Sequence, residues 1–119
     1  MSIKDLVGTY SIIGSNQDDT KNTYKGILKL SLNKYNQIIA NWLINNSQEQ
    51  FGVGFFNDNI LVINFNYKDF ENKTYKGTVI YKCLNKNIFE GFWSEENGNP
   101  LFLGIENCFR IFYTKTILN

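Results

Sequence analysis

The sequence predicts an all-β fold, an eight-stranded antiparallel up-and-down meander closed into a barrel. Three observations predict it. Apolar and polar residues alternate with period two along most of the chain, the signature of half-buried strands. A block of residues recurs at a fixed shift of 51 positions, the mark of an internal repeat. Eight of the nine glycines fall inside the alternating segments and share one parity.

The alternation marks strands at about 6–14, 23–32, 37–45, 49–56, 59–67, 74–83, 87–95 and 101–112, separated by short polar turns. On the first strand Gly8, Tyr10 and Ile12 take the inward parity. The second alternates Tyr24, Gly26, Leu28, Leu30 and Leu32 against Lys25, Ile27, Lys29 and Ser31. The sixth alternates Tyr75, Gly77, Val79, Tyr81 and Cys83 against Lys76, Thr78, Ile80 and Lys82. The lysines mark solvent, so the first set of each pair points inward. The same parity turns Trp42 and Trp93 inward on the third and seventh strands. It does so for Leu61, Ile63 and Phe65 on the fifth, and for Gly104, Glu106, Cys108 and Arg110 on the last.

The repeat sets Tyr24-Lys25-Gly26 against Tyr75-Lys76-Gly77, Trp42 against Trp93, and Phe51 against Phe102, all at the same shift of 51. It divides one domain, residues 1–119, into four-stranded halves at about 6–56 and 59–112. Two separate four-stranded sheets would leave open edges, and one closed barrel removes them. The inward glycines support closure, because they let a small barrel bend and leave room for large side chains opposite. No stretch reads as a helix.

Composition narrows the function classes. The chain has 10 Phe and 7 Tyr, which favour strands, and its 18 Asn suit polar turns. A net charge of +1 argues against the basic face of a nucleic-acid binder. No apolar run reaches membrane-spanning length. Met1-Ser2-Ile3-Lys4-Asp5 lacks a signal-peptide core, so the expected location is the cytoplasm, or a secreted or periplasmic site if a leader has been removed. The count of histidine is 0, which takes away the usual general base and the commonest metal ligand. No metal and no other cofactor is expected, and an enzyme is the disfavoured class. Cys83 and Cys108 have no CxxC spacing. With one strand between them their backbones lie roughly 9–10 Å apart, too far to bridge, so both are expected as free buried thiols.

Gly8-Thr9-Tyr10 on the first strand, with Arg110 on the last, resembles the opening Gly-x-Trp and closing basic residue of the calycin superfamily, the lipocalin- and avidin-like barrels. Tyr stands here where Trp is usual. The wider set Tyr24-Lys25-Gly26, Trp42, Gly52-Val53-Gly54, Glu90-Gly91-Phe92-Trp93 and Gly104-Ile105-Glu106 is similar to a group of small bacterial proteins often labelled fibronectin-binding. These residues build the barrel, so the resemblance implies a fold and carries no ligand or active site.

Candidate site residues follow from the inward parity. Tyr24, Trp42, Tyr75 and Trp93 can wall a pocket for a flat ligand, or fill the barrel themselves, since eight strands enclose just enough space for either. Glu106 and Arg110 share the inward face of the last strand. They suggest a buried ionic pair that orients a ligand, or a structural clasp in which Arg110 stacks on Tyr10. The loops after strands 1, 3, 5 and 7 emerge at one end and hold or border seven of the eleven acids. That end is either a mouth that disfavours anions or a solvated rim.

The outward parity also carries Ile88, Phe92, Leu103, Ile105, Phe109 and Ile111 on the last two strands. Apolar patches of that extent mark interfaces, which predicts a homodimer or higher homo-oligomer through that face. The leading expectation for function is a non-enzymatic barrel that binds a small apolar or aromatic ligand. The alternative is a protein-interaction module, inhibitor- or adhesion-type, with a solidly packed barrel.

Overall fold

In the computed structural model, which describes residues 1–112, the chain forms a closed barrel with strand order β1 to β8. The strands are β1 Gly8–Ser15, β2 Thr23–Leu32, β3 Ile38–Ile44, β4 Gln48–Asn57, β5 Ile60–Lys68, β6 Thr74–Asn85, β7 Ile88–Glu95 and β8 Gly104–Arg110. Every neighbouring pair is antiparallel, and β1 pairs with both β2 and β8. The expected meander and its closure are both present. Residues 113–119 of the expected domain lie outside the described residues.

The turns explain the asparagine content. Asp58 and Asn59 both have positive φ, the geometry a two-residue hairpin turn needs, and they join β4 to β5. Asn45 and Asn46 do the same after β3. Among the described residues, all the non-glycine residues with positive φ are Asn or Asp except Lys21. These two types tolerate the left-handed region best among residues bearing a Cβ.

The core follows the inward parity: Tyr10, Ile12, Leu28, Leu30, Trp42, Leu61, Ile63, Val79, Tyr81 and Phe89 are buried. Most inward glycines lie under a neighbouring ring. A methyl group on Gly104 would overlap the Trp93 indole, one on Gly91 the Tyr81 ring, and one on Gly77 the Phe65 ring. Glycine here is what lets large aromatics pack inside a narrow barrel.

Two features depart from the expected elements. Ile3–Leu6 forms a short 3₁₀ turn that carries the buried Leu6 into the end of the barrel opposite the long loops. The hydrophobic periodicity of four residues is too short to announce it. β8 begins at Gly104, three residues later than expected at position 101. The preceding segment is held as a loop by Gln17, whose amide donates to Ser94 Oγ at 2.8 Å and to the carbonyls of Asn99 and Phe102 at 3.2 and 3.0 Å.

Candidate functional site

The two ends of the barrel differ. At the floor, Tyr10 and Phe89 pack at 4.7 Å between ring centroids, over Leu6 from the 3₁₀ turn. The Arg110 guanidinium sits 4.8 Å from the Tyr10 ring centroid. It donates to the carbonyls of Lys86 at 3.0 Å and Val7 at 2.9 Å, to that of Asp5, and to the Tyr10 hydroxyl at 2.6 Å. The Tyr10 hydroxyl donates in turn to Leu6 O at 2.8 Å.

At the loop-rich end a cavity of about 270 Å³ opens into the barrel. Its apolar walls are Trp42, Phe65, Trp93, Ile44 and Val79. Its polar lining includes Tyr24, Tyr67, Gln48, Gln50, Glu95 and Glu106. Phe65 meets Trp42 and Trp93 edge-on, at 6.2 Å and at interplanar angles of 71° and 84°.

Glu106, on β8 and 5% exposed, sits at the inner end of this cavity. Its Oε1 accepts the Tyr24 hydroxyl at 2.7 Å. Its Oε2 accepts the Trp42 indole N–H at 3.0 Å and the Tyr81 hydroxyl. Three strands thus each direct one neutral donor at a single carboxyl group. Burial pushes the Glu106 pKa upward, and the bonds from Tyr81, Tyr24 and Trp42 offset only part of that. Burial likewise raises the pKa of Tyr24, Tyr81 and Cys108, with the nearby Glu106 charge adding to the rise in each. The Cys83 thiol is pushed up to about 12 by burial. Both cysteines are free and buried. At the rim, Glu95 accepts the Tyr67 hydroxyl.

Of the six residues expected at a site, Tyr24, Trp42, Trp93 and Glu106 line the cavity. Tyr75 does not. It stacks on Tyr67 at 5.1 Å and donates to Asp69 at 3.2 Å in the β5–β6 loop. Arg110 does not either, and the ionic pair it was expected to form with Glu106 is absent. Four residues along a strand span about 13 Å, so Glu106 reaches the cavity while Arg110 reaches the floor. The other expectation for Arg110, a clasp stacked on Tyr10, matches its geometry.

Phe65, Tyr67, Gln48, Gln50 and Glu95 also line the cavity and were not among the expected site residues. The signal was present: Gln48 and Gln50 share the parity of Gly52 and Gly54, Tyr67 that of Phe65, and Glu95 that of Trp93. The repeat partners have diverged in use. Trp42 gives its N–H to Glu106, whereas the buried Trp93 Nε1 has no hydrogen-bond partner among the described residues.

No protein-family model matches the chain, and no curated protein does. Solved structures of the same fold do. A redesigned β-barrel superposes with a TM-score of 0.74 at 11% identity, covering 92% of this chain and 95% of that one. A second redesigned β-barrel, mFAP1, bound to DFHBI, gives 0.67 at 16% identity, covering 92% and 97%. A third, mFAP0, also bound to DFHBI, gives 0.66 at 16% identity, covering 89% and 99%. At these identities the likeness shows the fold, an eight-stranded closed barrel, and nothing in it bears on a fibronectin-binding label or a bacterial origin.

Proposed function

We propose that the protein is a non-enzymatic binding barrel that takes a small aromatic or apolar ligand through its loop-rich end. The observation that carries this is the cavity of about 270 Å³ between Trp42, Phe65 and Trp93, in a barrel otherwise filled by its own side chains. That volume lies just below the usual range for drug-sized ligands, which suits a small one. Barrels of the same fold bound to DFHBI lend support. A solidly packed interior would have favoured a protein-interaction module. An enzymatic role is disfavoured by the raised pKa values of the Tyr24 and Tyr81 hydroxyls and of both thiols, which leave them poor acids, bases and nucleophiles near neutral pH.

The chain has 2 tryptophans, and both line the cavity, so intrinsic fluorescence reports occupancy directly. Titration with DFHBI and a panel of small aromatic compounds is expected to quench or shift that emission saturably. Native mass spectrometry of the purified protein is expected to show a retained small molecule. An unchanged emission across the panel together with an empty mass spectrum would overturn the proposal.

A second proposal concerns the outer wall. Phe92, Leu103, Ile105 and Phe109 are each 42–52% exposed on and beside β7 and β8, apolar groups parted on that face by the Glu90–Asn107 pair, and such a face favours twofold self-association. Sedimentation velocity at tens of micromolar is expected to show a dimer, and a monomer would sink this proposal.

A further inference from the structure

We infer that the cavity selects a ligand carrying a protonated or quaternary amine on an aromatic or apolar body, with Glu106 as the group that holds the cation. The inference rests on the ligand-binding function proposed above and names the chemical class of ligand. Glu106 is a buried carboxyl whose partners are all neutral: a phenol from Tyr24, a second from Tyr81 and an indole from Trp42. Removing a carboxylate from water without a counter-charge is costly, and an opposite charge beside it recovers much of that cost. The barrel does not supply that charge itself. Arg110, the cation on the same inward face, is engaged at the floor with three backbone carbonyls and Tyr10. No Lys or Arg lines the cavity among the described residues.

Glu106 has acceptor capacity remaining. A carboxylate offers about four lone-pair positions, and Oε2 already takes two donors whereas Oε1 takes one, from Tyr24. Glu106 itself lines the cavity, together with Tyr24 and Trp42, donors to Oε1 and Oε2, so the less occupied Oε1 belongs to a carboxyl group that a ligand in the cavity can reach. The walls suit a cation as well. The faces of Trp and Phe rings are electron-rich, and rings set at steep angles around one space are how ammonium groups are caged. Trp42, Phe65 and Trp93 line the cavity together, with Phe65 at steep angles to both indoles. A second carboxylate, Glu95, stands at the rim. An anionic ligand would meet both carboxyl groups and no cation. The upward pull of burial on the Glu106 pKa agrees with a carboxyl lacking its counter-charge in the empty barrel.

Three probes of one shape test the inference on the full chain: phenethylamine, a cation; phenethyl alcohol, neutral; and hydrocinnamate, an anion. Binding is read by tryptophan fluorescence and calorimetry at neutral pH. The amine is expected to bind at least about tenfold more tightly than the alcohol, an advantage of about 1.4 kcal/mol, and the anion more weakly than either. Glu106→Gln is expected to abolish the tenfold advantage of the amine over the alcohol. If the alcohol or the anion binds as tightly as the amine, the inference falls and the binding barrel stands. If the amine keeps its advantage in a folded Glu106→Gln protein, the assignment to Glu106 falls. If none of the three binds, the inference and the binding function fall together. The order of the three probes on the unaltered protein decides the matter even if the variant fails to fold.

Discussion

Strand β8 carries one charged side chain to each end of the barrel, and the two are treated differently. Arg110 at the floor is met by backbone carbonyls of Asp5, Val7 and Lys86 and by the face and hydroxyl of Tyr10. Those carbonyls come from the chain's N-terminal turn and the β6–β7 loop, so the cation ties separate segments together and nothing is left for a ligand. Glu106 is met by side-chain donors on β2, β3 and β6, in the lining of an open cavity. A charge satisfied by backbone closes an end, and a charge satisfied only by neutral side chains leaves a place for another molecule. Variants at the floor should therefore cost stability, and variants at the mouth should cost binding.

The largest expected effect is at the floor. Arg110→Ala removes four charge-assisted hydrogen bonds and a stacked cation, and is expected to lower unfolding free energy by about 3–5 kcal/mol. Urea unfolding checks this, and the surviving folded fraction is expected to bind the amine probe normally. Loss of binding in that fraction would show that the two ends are coupled.

Next come two glycines that separate the ends by readout. Gly8 has φ +156, and a methyl group there would overlap the Arg110 guanidinium. A methyl on Gly104 would overlap the Trp93 indole in the cavity wall. Each alanine variant is expected to cost about 1–3 kcal/mol by overpacking. Gly8→Ala should leave ligand affinity intact and Gly104→Ala should reduce it severalfold by fluorescence titration. Equal losses of affinity would break the division between the ends.

A smaller effect is a pH slope. The pKa of Glu106 is raised above the ordinary 4.5 by burial, so the folded protein holds a proton that the unfolded chain releases. The contribution is fully present below 4.5 and is lost as pH rises through the folded-state pKa. Asp5 and Asp69 have lowered values, chiefly through backbone hydrogen bonds from Ser2 and Lys73, and act in the opposite sense only below 3.8. Thermal stability of the empty protein is expected to fall from mildly acidic to neutral pH, and Glu106→Gln to flatten that slope. The smallest effect separates the repeat partners. Tyr75→Phe loses a bond from the start of β6 to Asp69 in the preceding loop and is expected to cost under about 1 kcal/mol, with no change in binding. Tyr24→Phe is expected to weaken binding, because it removes a donor from Glu106.

Much of this was legible in the residues. The parity of Gly8, Tyr10, Trp42, Phe65, Glu106 and Arg110 follows from period-two alternation, and all of them point inward as that alternation requires. Gln48, Gln50 and Tyr67 obey the same rule and reach the cavity, but parity alone does not separate residues that line an open space from residues that fill the core. The distance between Glu106 and Arg110 was also legible, because a strand rises about 3.3 Å per residue. The partners of Arg110 were not. Backbone carbonyls have no residue type, and no pattern in the sequence announces which of them will converge on a guanidinium. The late start of β8 was hidden for a similar reason, since it depends on one amide, Gln17, reaching across from the β1–β2 loop. β2 and β6 begin at equivalent positions, so the different fates of Tyr24 and Tyr75 come from the residue opposite each: Gly14 lets the Tyr24 ring lie over it, whereas Tyr67 stacks on Tyr75.

The closure of β1 onto β8 has a kinetic consequence. Every other seam of the barrel joins strands adjacent in sequence, and this one alone joins the two ends of the meander. Hairpins between neighbours close small loops, whereas the last seam closes nearly the whole chain at once, so the entropic cost of loop closure is concentrated there. During synthesis β1 must wait for β8 to emerge before its outer edge is covered. Arg110, reaching from the end of β8 back to Asp5, Val7 and Tyr10, is the latch that secures that seam, and refolding of Arg110→Ala should be slowed at the closing step while the early hairpins form at their ordinary rates.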